Sequence, residues 1–244
     1  MEKQYRGGLY ARYGKKVFDW VSSLVILAVI SPVFLILMLA GAIAMRGNPF
    51  FVQLRPGRKN PKTGQETIFH LIKFRTMSNK TDKDGNLLPD EQRLNTYGRI
   101  LRKTSLDELP QLLNILSGTY SLVGPRAMLV RDMVFMSEEV RRRHTVYPGI
   151  TGLAQVNGRN SISWEEKFRF DLQYVDNGVT FRGDIKILFK TIAQVFKTDD
   201  VVRAGTVSDI DYGDWLLQEG KIHVDVYRQK QNEALEILHR YEKK

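Results

Sequence analysis

The sequence contains no cysteine. Disulfides, a cysteine nucleophile and cysteine-ligated zinc or iron–sulfur centres are therefore excluded, and a reducing compartment is permitted. Histidine is scarce too. The four present, His70, His144, His223 and His239, show no metal-binding spacing. There is no Walker A sequence and no G-x-G-x-x-G, which argues against a P-loop NTPase and a Rossmann domain. No recognisable DNA-binding module, internal repeat or low-complexity tract is present. Acidic residues are in deficit, 27 against 37 Lys and Arg, for a formal charge of +10 over 244 residues. That balance points to a polyanionic partner: nucleic acid, an anionic membrane or a phosphorylated substrate. The excess is uneven. Residues 200–244 carry 7 basic and 9 acidic side chains, a net of −2, so residues 1–199 carry +12. With 43% hydrophobic and 26% charged residues, the chain can build one or two domains with a real core.

One apolar run dominates what is present. Residues 20–45 are 26 positions without a charged side chain. As a helix they would extend about 39 Å, more than the hydrocarbon core of roughly 30 Å. The run is too long for a secretory leader and lacks a small-residue cleavage site, so it is a membrane segment. Ser31-Pro32 sits in its middle, where proline removes a backbone donor and crowds the preceding turn. Five basic residues lie upstream (Lys3, Arg6, Arg12, Lys15, Lys16) and five downstream (Arg46, Arg55, Arg58, Lys59, Lys62). Positive charge normally marks the cytoplasmic side, and here it marks both ends. Two paths stay open on these residues: a kinked single span, and a helix that bends at Ser31-Pro32 and returns to its own leaflet. Tyr10, Tyr13, Trp20, Phe50 and Phe51 suit the interface.

No second long apolar run follows, so most of the chain lies outside the bilayer. Residues 50–54 and 67–75 read as strands joined by a long basic loop at 55–64, rich in proline and glycine. Residues 78–90 read as a surface loop. Helices are expected at 91–103, 105–116, 127–144, 164–175 and 185–197, with a glycine-rich irregular stretch at 147–160. The expected class is mainly α with a small β-hairpin, with several short basic helices lying in the membrane interface.

The densest chemistry lies at Arg102-Lys103-Thr104-Ser105-Leu106-Asp107-Glu108-Leu109-Pro110-Gln111. Its plain reading is a helix start, with Ser105 and Glu108 as a capping box and acids complementing the helix dipole. Pro110 is not explained that way, because it would fall at the fifth helical position, where a donor is used. The alternative is a bent turn presenting two ionised carboxylates, one a nucleophile and one a magnesium ligand. Val123-Gly124-Pro125-Arg126 is either an ordinary tight turn or a rigid mount for a phosphate-binding arginine. Lys73-Phe74-Arg75-Thr76-Met77 puts two cations on one strand face, exposed or substrate-facing. The stretch from Pro148-Gly149-Ile150-Thr151-Gly152 to Gly158-Arg159 has glycines that could admit a ligand close to the backbone.

Taken in order, these pieces resemble the monotopic phosphoglycosyl transferases, bacterial sugar transferases that start glycan assembly on polyprenyl phosphate. The match runs from about residue 12 to about residue 197, with one membrane segment as in the family's small form. The resemblance implies a monotopic protein of the bacterial inner membrane, its catalytic domain facing the cytoplasm, with a re-entrant helix broken at Ser31 and Pro32. It implies transfer of a sugar 1-phosphate from a UDP-sugar to polyprenyl (undecaprenyl) phosphate with release of UMP. Asp107 would be the nucleophile carrying a covalent phosphosugar, and Glu108 the ligand of Mg²⁺. Arg126 would contact the nucleotide-sugar, on the turn made by Gly124 and Pro125. Arg102, Lys73, Arg75 and Arg159 are the further candidates for phosphate or lipid-headgroup contact. The family usually has proline after the arginine of Gly-Pro-Arg. Here Ala127 stands there, which predicts a looser turn.

The chain then divides into a basic interfacial segment (1–16), the membrane helix (17–45), a catalytic domain (46–199) and an acidic extension (200–244). In the extension, 231–241 reads as a short amphipathic helix, either packed on the domain's own surface or serving self-association. A non-enzymatic basic membrane adaptor is the competing reading. Nucleic-acid binding rests on charge alone, and the symmetric basic flanks of the apolar run make it the poorest choice.

Overall fold

A computed structural model of the protein describes residues 8–158, 161–196 and 210–242. After a short π-helical turn at Tyr10–Gly14, one long helix, α1, runs Lys15–Met45. No residue within it leaves the helix, so the interruption expected at Ser31-Pro32 is not present as a break in secondary structure. The reason is local. Pro32 lacks the N–H that would bond the Ala28 carbonyl, and the Ser31 hydroxyl donates to that carbonyl instead, at 2.8 Å. A proline is tolerated in an apolar helix when a neighbouring hydroxyl satisfies the freed backbone group.

One stripe of α1 faces the rest of the protein along its whole length. Lys15, Asp19, Ser23 and Gly41 are buried on it, and Leu27 and Ile30 pack against the main core. Phe34 meets Phe74, the Tyr97 hydroxyl donates to the Leu37 carbonyl at 2.8 Å, and Asn95 Nδ2 donates to the Ala44 carbonyl at 3.3 Å. The spacing of three and four residues is that of a single helical face. The opposite face carries exposed Val17, Val21, Val25, Val29, Ile36 and Ile43.

The β-hairpin is present, with longer strands than expected. Strands β1 (Phe50–Lys59) and β2 (Glu66–Phe74) pair antiparallel from Phe50↔Phe74 to Lys59↔Glu66. The stretch read as a loop from residue 55 is therefore strand as far as Lys59. Pro56 is admitted because the register shifts beside it and a two-stranded sheet consists only of edges.

The helix expected over 91–103 is two: α2 (Asp90–Arg93) and α3 (Thr96–Thr104), parted at Leu94, which is extended and bridges Met77. After α4 (Gln111–Leu116) comes β3 (Ser121–Val123), which pairs parallel with β4 (Gly149–Thr151). The single helix expected over 127–144 is also divided, into α5 (Val130–Met133), α6 (Glu138–Arg141) and a 3₁₀ turn at Arg142–Thr145. The break is encoded by Ser137, whose hydroxyl accepts the Val140 N–H as a fresh N-cap. Helices α7 (Trp164–Asp176) and α8 (Phe181–Phe196) follow, α7 opened by a Ser163/Glu166 capping box. The main core joins β2, α4, β3, α7 and α8, with Phe69, Leu112, Val123, Tyr174 and Ile187 among its buried members.

In the C-terminal extension, α9 (Tyr212–Gln218) and α10 (Val224–Glu242) pack on the domain itself. Ala234 of α10 is buried against Val130, Met133 and Val134, and Tyr212 and Trp215 of α9 against Trp164 and Phe168. Helix α10 begins seven residues before the segment read from the sequence, because the apolar spacing that identifies it is confined to its second half.

Candidate active site

Asp107 and Glu108 lie on a 3₁₀ turn, Leu106–Glu108, between α3 and α4. Ser105 makes that turn possible. It ends α3 in the left-handed region, φ 57°, which costs a non-glycine residue roughly 1–2 kcal/mol. The expected Ser105/Glu108 capping box does not form, and the Ser105 side chain makes no cap bond. Pro110 instead stands at the start of α4, where no backbone donor is required. The helix read over 105–116 is thus a reversed turn followed by six helical residues, and the turn lifts both carboxylates out of helical register.

Glu108 is held by two cations from different elements. Lys73 Nζ, on β2, lies 2.9 Å from Glu108 Oε1. Arg126 Nη2, from the loop after β3, lies 2.7 Å from the same oxygen. Burial opposes the charge on Glu108, but Arg126 and Lys73 outweigh it and hold the carboxyl well below the ordinary range. Arg126 is in turn held firmly protonated by Glu108. Asp107 is the reverse case. Burial first, and then the Glu108 charge, push its carboxyl up, against the pull of Lys73, Arg126 and Arg102. Asp107 makes no hydrogen bond or ion pair among the described residues. Two adjacent carboxyls are thus driven apart by their surroundings, one paired with two cations mainly through a single oxygen and one left open, a pattern that separates chemical roles.

The Arg126 loop is fixed through its backbone. Gly124 N–H donates to the Thr151 carbonyl at 2.9 Å, and Gly149 N–H to the Pro125 carbonyl at 3.0 Å. A Cβ on Gly124 would stand 2.2 Å from the Tyr147 carbonyl oxygen, so only glycine fits. Gly149 and Gly152 meet the Gly124 backbone equally closely. The close approach these glycines allow is therefore to the protein's own chain, not to a ligand. Beyond the turn, Arg143 Nη2 donates to the Arg126 carbonyl at 2.7 Å and Arg55 Nη1 to the Ala127 carbonyl at 3.2 Å. The carbonyls of both Arg126 and Ala127 are thus tied down, so the turn is held with alanine at 127.

Arg143 and Asp171 are the residues the sequence did not single out. Arg143 is 1% exposed, and its Nε and Nη2 lie 2.9 and 2.7 Å from Asp171 Oδ2. In sequence Arg143 is one of three successive arginines and reads as a solvated helix end. Its burial is set by the packing of α7, which no local pattern reveals.

Of the other expected residues, Arg102 Nε donates to Thr76 Oγ1 at 3.0 Å and its guanidinium feels the Asp107 charge. The Arg75 side chain makes no hydrogen bond or ion pair among the described residues, and is not brought into the Glu108 cluster. Arg159 lies outside the described residues.

No group of three metal-ligating side chains occurs among the described residues. Mg²⁺ does not need one. It is commonly held by one or two carboxylates together with substrate phosphate oxygens. Asp107 and Glu108 are adjacent, and the lowered Glu108 carboxyl is available as an ionised ligand, so this donor set fits Mg²⁺ shared with a bound diphosphate.

The family model described as "Bacterial sugar transferase" matches residues 10–198. The chain is 44% identical over 194 residues to the uncharacterized sugar transferase EpsL of Bacillus subtilis (strain 168), covering 80% of this chain and 93% of that protein. It is 36% identical over 198 residues to the exopolysaccharide production protein ExoY of Rhizobium meliloti (strain 1021), covering 74% of this chain and 84% of that one. It is also 36% identical over 208 residues to the undecaprenyl-phosphate galactose phosphotransferase of Salmonella typhimurium (strain LT2), covering 78% of this chain and 42% of that longer protein.

Proposed function

The chain belongs to the bacterial sugar transferase family, and from that premise we propose a two-step transfer of a sugar 1-phosphate from a UDP-sugar to undecaprenyl phosphate on Asp107. The protein is a phosphoglycosyl transferase acting on polyprenyl phosphate. The observation that carries the two-step reading is the contrast between the adjacent carboxyls: Glu108 paired with Lys73 and Arg126 through one oxygen, Asp107 unpaired and its carboxyl raised by burial and the Glu108 charge.

In the first step an Asp107 carboxylate oxygen attacks the sugar-bearing phosphorus of the UDP-sugar. The bridging P–O bond breaks and UMP leaves with the bridging oxygen. In the second step an oxygen of polyprenyl phosphate attacks the same phosphorus. The bond to Asp107 breaks, and the free carboxylate returns. Two dianionic substrates thus never need to meet in one encounter, which a basic but small site could not accommodate. Arg126, Lys73 and Arg102 offset the charge that builds on the phosphoryl oxygens. Mg²⁺ held by Glu108, with Asp107 beside it, would supply further neutralisation of the diphosphate.

The packing of α1 supports a monotopic placement. Both ends of the helix, Asp19 by way of Ser121 and Ala44 by way of Asn95, bond the same domain. A bilayer cannot lie between two points tied to one domain, which supports a helix whose two ends stay on the same leaflet. Exposed Phe189 and Ile192 on α8, and Ile100 on α3, add apolar surface to the same monotopic reading. At the cytoplasmic face of the bacterial inner membrane such a site meets polyprenyl phosphate from the leaflet and the UDP-sugar from the aqueous phase.

The test is UMP release from a panel of UDP-sugars with undecaprenyl phosphate and Mg²⁺. One sugar should release UMP only with acceptor present at multiple turnover. Silence across the panel would favour the basic-adaptor reading. With no native cysteine, single cysteines at positions 5 and 60 report topology directly, and opposite-side labelling would refute the same-leaflet path.

A further inference from the structure

A cavity of about 310 Å³ lies where the start of α1 meets the domain, lined by Val17, Trp20, Ile115, Tyr120 and Tyr147, with Lys16 among its lining residues. None of the residues lining it belongs to the Asp107–Glu108 cluster. Its surroundings hold three cations whose partners are neutral: Arg58 Nε donates to the Thr145 carbonyl at 3.1 Å, and Lys16 and Arg58 both contact the Tyr147 side chain. Lys16 Nζ lies 5.1 Å from the centre of the Tyr147 ring, and the Arg58 guanidinium 5.2 Å from the same ring. Arg12 lines the adjoining cleft with both of them. None of these three cations pairs with a carboxylate among the described residues. Two cations on one neutral ring repel each other, and the ring's attraction of about 0.5–1 kcal/mol each at exposed sites offsets little of that. The phenol of Tyr147 records the crowding. Burial raises it, but contact with Lys16 and Arg58 brings it below the ordinary tyrosine value.

The carboxylate in the cavity wall does not relieve this. Asp19 is 4% exposed, with one oxygen 3.0 Å from Lys15 and the other accepting the Ser121 hydroxyl at 2.7 Å. Lys15 is further engaged by Asp184 at 2.9 Å. The buried ion network is closed; of the cations outside it, Lys16 lines the apolar chamber, while Arg58 and Arg12 line the adjoining cleft, which shares Lys16 and Tyr147 with it. The chamber sits at the level where α1 changes from basic residues to exposed Val17, Trp20 and Val21, the headgroup boundary of a helix lying in lipid.

We infer that this cavity is a binding site for a single anionic phospholipid, its phosphate held by Lys16 and Arg58 over Tyr147 and its upper acyl chain entering between Val17, Trp20 and Ile115. A phosphate alone would satisfy the cations but not the apolar chamber, and a neutral lipid would satisfy only the chamber. The lipid thereby fixes the start of α1 against β3, the strand that leads into Gly124-Pro125-Arg126. The inference rests on the membrane placement proposed above.

The experiment is native mass spectrometry of the full chain in detergent micelles, titrated with phosphatidylglycerol or phosphatidylcholine. One phosphatidylglycerol should be retained at a concentration at least tenfold below that needed for phosphatidylcholine. The Lys16→Gln/Arg58→Gln variant should lose that preference. Lys16→Gln alone, at an exposed position that does not threaten folding, should weaken it several-fold. Val17→Trp, which fills the chamber and keeps the cations, should weaken phosphatidylglycerol retention while sparing UMP release at saturating acceptor. Equal retention by wild type and the double variant would overturn the site. Displacement by inorganic phosphate at the lipid's own concentration would make it an ion site and overturn the lipid. Displacement by undecaprenyl phosphate, with loss of turnover in Val17→Trp, would make it the acceptor's site and overturn the phospholipid. Flotation with neutral vesicles is scored separately, so failure of the membrane placement is distinguishable from failure of the site.

Discussion

Replacing Arg143 with methionine separates folding from positioning in this site. Arg143 and Asp171 are each 1% exposed and joined by two bonds of 2.9 and 2.7 Å. Arg143→Met leaves Asp171 buried without its counter-charge, a loss of about 3–5 kcal/mol. Burial already raises the Asp171 carboxyl, and without Arg143 it rises further and takes up a proton, which sets the lower end of that range. The same change removes the donor to the Arg126 carbonyl. Adding Asp171→Leu removes the orphaned carboxyl, and replacing both members of a buried pair with apolar side chains recovers most of the stability. It does not restore the bond to Arg126. Urea midpoints in detergent should therefore fall for Arg143→Met and largely recover in Arg143→Met/Asp171→Leu. UMP release should stay low in both, by roughly 100-fold for a guanidinium displaced by about 1 Å. Full recovery of turnover along with stability would refute the positioning role. A loss under about 1 kcal/mol in the single variant would refute the buried-pair reasoning.

Other outcomes follow from single features. Ser105→Gly relieves a left-handed residue and should stabilise the fold by about 1 kcal/mol in chemical denaturation, while widening the turn that presents Asp107 and lowering turnover. Gly124→Ala drives a Cβ to 2.2 Å from the Tyr147 carbonyl and should abolish UMP release and cost several kcal/mol through backbone displacement, which the thermal midpoint would show. Burial lowers the His144 imidazole to about 4, so the unfolded chain takes up the proton first as pH falls. Stability should be full above about pH 6.5 and decline by ~3 kcal/mol down to pH 4, and His144→Gln should flatten that window. Ser31→Ala frees the Ala28 carbonyl in an apolar helix, and should lower the protein's thermal midpoint more in bilayer nanodiscs than the same change at Ser22.

What could be read from the sequence was whatever depends on local pattern. The hairpin, α7 and α8 declare themselves by apolar spacing and end signals such as Ser163 and Glu166. The cluster of Lys73, Glu108 and Arg126 was legible as separate motifs, and the structure joins all three at one carboxylate. The helix read from Ser105 failed because the capping-box pattern is real as a pattern, but Glu108 gains more from two cations than from a backbone N–H. The helix read over 127–144 failed because Ser137 restarts it, a local signal overlooked beneath an apolar periodicity that continues across the break. Arg143 was not legible at all, since three successive arginines look alike until α7 buries one of them. The break between α2 and α3 has a local signal as well, Asn95, whose side chain accepts the Gly98 N–H as the N-cap of α3, beside the distant bridge of Leu94 to Met77.

In the proposed mechanism Asp107 carries the phosphosugar. Mixing the protein with its UDP-sugar and Mg²⁺ in the absence of polyprenyl phosphate, quenching, and mapping the added mass by peptide analysis tests it directly. One sugar-phosphate is expected on the peptide holding Asp107, with UMP released in equal amount and neither event in Asp107→Asn. A phosphosugar on another residue, or undiminished turnover by Asp107→Asn, would contradict it.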